Sequence, residues 1–126
     1  VQDYTLTMTS EMMAEANAKW YRQMADELGA DTDMLPVCLA YAELRKRYGL
    51  SINPYISPEK GGDYGHQNNI GNYIAACLLY AYVFGESPEG LGIPVSHTSG
   101  MPGGAITDEQ ARAIQQTVGT FLSTHP

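Results

Sequence analysis

The chain has 126 residues, 44% of them apolar, which limits it to a single domain around one hydrophobic core. Its 14 acidic residues outnumber 7 basic ones, for a formal net charge of -7. That balance argues against a nucleic-acid or anionic-membrane surface, both of which need clustered Lys and Arg. Nine tyrosines, one tryptophan and an ordinary apolar fraction argue against disorder. No window reaches the roughly 18 apolar residues of a membrane span. The nearest, 70–84, is shorter and carries Gly71 and Asn72. The opening VQDYTLTMTS lacks the basic and apolar regions of a signal peptide. A start at Val1 rather than Met is the start expected of a processed or trimmed product.

In chain order, residues 5–9 alternate and are β-branched, so they read as a short strand. Ser10 reads as an N-cap, 11–28 as a helix and Gly29 as its stop. Met13, Asn17, Trp20, Met24 and Leu28 recur at three- and four-residue steps, and that stripe is expected in the core. Residues 34–40 (MLPVCLA) form an unbroken apolar run, the pattern of a strand buried on both faces. Strand, helix and strand in this order predict a βαβ unit with parallel pairing and a right-handed crossover.

Residues 41–48 read as a short helix stopped by Gly49, with Arg45, Lys46 and Arg47 on a solvated face. Residues 50–65 read as a loop punctuated by Asn53-Pro54, Ser57-Pro58 and Gly61-Gly62. Asn68 or Asn69 caps the next helix, which runs to Phe84 and stops at Gly85. Apolar residues occupy nearly all its faces, so burial from several directions is expected. Residues 87–105 are a Pro- and Gly-rich excursion. Thr107 with Gln110 makes a capping box for a last helix through Leu122, whose stripe is Ala111, Ile114, Val118 and Phe121. Cys38 and Cys77 lie in apolar surroundings and are expected as buried reduced thiols. Two parallel strands do not make a stable sheet, so missing strands are expected from an N-terminal segment or a partner chain.

Three histidines, His66, His97 and His125, are the candidate bases. His125 lies at a fraying terminus and His97 in a loop with no neighbouring carboxylate. His66 stands apart, with Asp63 three residues upstream between Gly62 and Gly65. A histidine base needs an acceptor on its second ring nitrogen to fix the tautomer, and an Asp on the same loop supplies one.

The segment Asp63-x-x-His66-x-Asn68-x-x-Gly71-x-Tyr73-Ile74-Ala75-Ala76-Cys77, followed by Tyr80 and Phe84-Gly85-Glu86-Ser87-Pro88, resembles the C-terminal block of SGNH/GDSL-type hydrolases. Residues 14–30 and Leu35-Pro36-Val37 resemble the family's preceding helix and strand. The resemblance implies an α/β fold: residues 1–126 as the C-terminal portion of one three-layer α/β/α, flavodoxin-like domain with parallel strands and about four helices. It implies a Ser–His–Asp triad with His66 as base and Asp63 as its orienting partner. A small-molecule or carbohydrate ester is the implied substrate, and a secreted or periplasmic location is implied as well. No cofactor or metal is called for.

The family's Gly-Asp-Ser nucleophile motif is absent, as are its oxyanion-hole segments. The isolated chain is therefore expected to be inactive, since no acyl-enzyme forms without the serine. The competing expectation is a non-catalytic interaction module, which predicts exposed apolar surface matched to a partner. A metal site of Asp63, His66 and His97 has poor ligand spacing. Phosphate binding by residues 100–104 lacks the Lys-Ser/Thr of a P-loop.

Overall fold

The computed structural model describes residues 10–29, 31, 32, 34–52, 54, 66–92 and 106–124. Four α-helices make up most of them: α1 (Ser10–Leu28), α2 (Val37–Tyr48), α3 (Asn69–Phe84) and α4 (Asp108–Thr124), with a 3-10 turn at Gly49–Ile52. No strand occurs among the described residues, which overturns the expected three-layer α/β/α, flavodoxin-like fold of SGNH hydrolases with its parallel strands. The helix expected at 41–48 instead begins at Val37 and absorbs the end of the strand expected at 34–40. An unbroken apolar run of seven cannot separate a buried strand from the first turn of a buried helix. The residues after the run settle the choice. Ala40, Tyr41 and Leu44 continue one helical face from Val37, and Ala, Leu, Glu, Arg and Lys all favour helix. The strand expected at 5–9 lies outside the described residues. The βαβ unit loses its second strand, and with it the ground for strands borrowed from elsewhere.

The helix boundaries follow local chemistry. Gly29, at φ +110°, ends α1 and donates its N–H to the Ala25 carbonyl at 3.1 Å. The Asn68 side chain caps α3 by accepting the Gly71 N–H at 3.0 Å, and left-handed Gly85 closes it with a 2.8 Å bond to the Ala81 carbonyl. Before α4 the capping box is reciprocal. The Gln110 N–H donates to Thr107 Oγ1 at 3.1 Å, and the Thr107 N–H to Gln110 Oε1 at 3.0 Å.

The core lies between α2, α3 and α4. Leu44, Ile74, Leu78, Ile114 and Val118 are fully buried there, joined by Ile52 from the 3-10 turn. The expected α4 stripe is buried throughout. Gln115, on the same helix, is 1% exposed and joins three elements. Its amide donates to the Tyr73 hydroxyl at 2.8 Å and the Leu91 carbonyl at 3.1 Å, while Oε1 accepts the Gly90 N–H at 3.3 Å. That set holds the Pro88–Leu91 turn, with Gly90 at φ +83°, against α3 and α4. Two residues further along α4 the Thr117 hydroxyl is buried with no hydrogen-bond partner among the described residues, which costs about 1–3 kcal/mol.

Two apolar surfaces lack cover among the described residues. The larger is on α1, which packs principally on α2. At about 3.6 residues per turn, its apolar residues span an arc roughly 160° wide. Ala14, Ala25 and Ala18 form one edge and are buried. Trp20, Met13, Met24, Asn17, Leu28 and Tyr21 fill the rest and are exposed, Trp20 to 66% and Leu28 to 71%. The stripe expected in the core is thus the uncovered part of α1. The small alanines, which let helices approach closely, make the contact instead. The Cys38 thiol of α2 marks how close the approach is, donating to the Ala14 carbonyl at 3.4 Å.

The second surface is on α3. Only the side bearing Ile74, Cys77, Leu78 and Ala81 is buried, while Leu79, Val83 and Phe84 are exposed. Burial from several directions is therefore not realised, because α2 and α4 both pack on one side of α3. Among the described residues, no helix is long and apolar enough to cross a membrane.

Candidate functional site

The open side of α1 forms one wall of a groove of about 600 Å³. Met34 and Leu35, in the segment leading into α2, form the facing wall with Val37, Cys38 and Tyr41 of α2. Pro36 is the N-cap residue of α2, so Met34 and Leu35 precede the helix and line the groove from a non-helical segment. Among the described residues, none of the lining side chains carries a formal charge.

Polar groups gather around Tyr41. Its hydroxyl lies 2.7 Å from Gln67 Oε1 and 2.9 Å from the Gly71 carbonyl; with one proton it donates to one acceptor at a time. Gln67 lines the groove, and Gly71 opens α3, so Tyr41 ties the groove to the core. Asn17 and Thr32 supply further polar atoms along the groove.

The thiol in the groove is kept protonated. Burial pushes the Cys38 pKa above the ordinary thiol value, against the lowering effect of backbone hydrogen bonds. Cys77, under α3, is pushed up to about 11 by burial, opposed by a hydrogen bond with Tyr73. A thiol is nucleophilic only as thiolate, so neither environment activates its sulfur at neutral pH. Both cysteines are free, with Cys77 buried and Cys38 half-buried.

His66 is exposed and stands immediately before Gln67 in the chain. Asp63, expected to orient it, lies outside the described residues, as do His97, His125 and the 100–104 stretch. Among the described residues no cluster of three or more His, Cys, Asp or Glu side chains could hold a metal. Tyr21, Tyr41 and Gln67 are groove residues the sequence did not single out, and Cys38 drew notice only as a buried thiol. The signal for Tyr21 was present, because two adjacent rows on α1, one of alanines and one of large side chains, cannot both face a single neighbouring helix. No protein-family model matches the chain, and no curated protein or solved structure matches it.

Proposed function

We propose that the protein is a non-catalytic interaction module whose α1 face takes up the apolar side of a segment from a partner protein. One observation carries this: five large apolar side chains, Met13, Trp20, Tyr21, Met24 and Leu28, lie exposed on one side of a single helix. Such a patch on a folded domain marks an association surface. Methionines at two of those positions suit the role, since an unbranched thioether adapts to varied partner side chains. The protonated thiol and the uncharged lining of the groove fit binding rather than bond-breaking.

Trp20 is the only tryptophan and reports directly on this face. Adding amphipathic helical peptides that lack tryptophan is expected to shift Trp20 emission to the blue, saturably. The exposed-site variant Met24→Glu should keep the thermal melt and lose the shift. If neither neutral nor cationic amphipathic peptides move the emission, the proposal is wrong.

A second reading keeps His66 and Asp63 as the base and orienter of an ester-hydrolysing site whose hydroxyl lies in another segment. It is supported by the Asp-x-x-His spacing and by the place of His66 next to Gln67 at the groove. Its test is the imidazole tautomer observed by nitrogen NMR. Asp63→Asn should redistribute the proton between the His66 ring nitrogens, and an unchanged tautomer would remove this reading.

A further inference from the structure

We infer that the occupant of the α1 groove is a cationic amphipathic helix. Its apolar side would lie on Trp20, Met24 and Leu28, and its Lys or Arg residues would lie over the acidic end of the groove. This rests on the interaction function proposed above and adds the chemistry of the partner.

Shape is the first ground. Large side chains at 13, 17, 20, 24 and 28 make a ridge with the three- and four-residue spacing into which another helix's side chains interdigitate. Met24 and Met34, from opposite walls, can repack around whichever apolar residues arrive.

Charge is the second. The stretch 26–32 carries Asp26, Glu27 and Asp31 with no Lys or Arg, and it includes Leu28 and Thr32, which line the end of the groove beside Met34. Asp26 and Glu27 occupy the last turn of α1, which holds no basic residue. Aligned peptide dipoles already make a helix C-terminus negative, so acids there repel it and a cation is favoured. By helical phase Glu27 borders the apolar arc beside Trp20, while Lys19 and Asp26 lie on the opposite side of α1 and Arg22 lies past the Ala18 edge, more than a turn before the C-terminal end. A positive side chain on an incoming helix therefore meets Glu27, Asp31 and the negative end of α1 there, with Arg45 one turn past Tyr41 on α2 as the nearest cation by helical phase. A second copy of this chain brings the same net charge of -7 and the same acids, and an anionic membrane is repelled likewise.

Three tryptophan-free helical peptides sharing one leucine face, with Lys, Gln or Glu on the polar face, test this on the intact chain through Trp20 emission. The Lys peptide is expected to bind about tenfold more tightly than the Gln peptide at low salt, and the Glu peptide most weakly. Raising the ionic strength should close the gap. The double variant Glu27→Gln, Asp31→Asn should bring the Lys peptide to the affinity of the Gln peptide and leave the latter unchanged. Equal binding of the Lys and Gln peptides by the native chain overturns the cationic partner while leaving the interaction function standing. Binding of none of the three overturns both. Self-association of the free chain that Trp20→Ser abolishes makes a second copy the occupant and also overturns the inference.

Discussion

Leu78→Ala is expected to cost about 3–4 kcal/mol, and Leu79→Ala, one residue on, no more than about 0.5 kcal/mol. The two leucines differ only in direction. Leu78 has no exposed surface and packs among α2, α3 and α4, whereas Leu79 is 56% exposed. Truncating Leu78 removes its burial and leaves a cavity that rigid neighbours fill poorly; truncating Leu79 removes atoms that already touch water. Denaturant unfolding of the two variants measures the contrast. Equal losses would mean that α3 is covered on both sides, as a layered α/β fold requires, and would refute the helical arrangement.

Gly71→Ala is expected to destabilise by about 2 kcal/mol, although alanine is the better helix former. A Cβ there would stand 2.6 Å from the Pro54 carbonyl oxygen, 2.7 Å from Gln67 Cβ and 3.0 Å from the Tyr41 hydroxyl. The first obstacle is backbone and cannot swing aside. Overpacking of this kind costs roughly 1–3 kcal/mol or more, against about 1 kcal/mol gained from helix propensity. The same shift would stretch the bond from Tyr41 to the Gly71 carbonyl and the Asn68 N–H bond to the Pro54 carbonyl, at 2.8 Å. A melting temperature lowered by about 10 °C is the expected reading. A rise would show that helix propensity governs this position and that the close approach does not exist.

The helices were legible where local chemistry writes them. Ser10, Asn68 and the Thr107–Gln110 box mark starts within a residue of those observed, and Gly29, Gly49 and Gly85 mark the stops. Partner choice was not legible. Residues 34–40 carry no period that separates strand from helix, and one misassigned strand was enough to suggest a sheet. On α1 both apolar rows were visible, but size misled: bulk argued for burying Trp20 and Met24, whereas the fold buries Ala14, Ala18 and Ala25 because close helix contact needs small side chains. The Tyr41–Gln67–Gly71 cluster joins residues 26 and 30 positions apart, a distance no local motif spans. The histidine loop drew attention through its spacing, yet the groove is built mostly of side chains with no catalytic signature.

The most direct measurement is the emission and acrylamide quenching of Trp20 in the free chain at monomeric concentration. An open α1 face predicts the red-shifted emission of solvated indole and ready quenching. A blue-shifted, quencher-protected Trp20 in the free monomer would contradict it, because the surface on which the proposed function rests would already be filled.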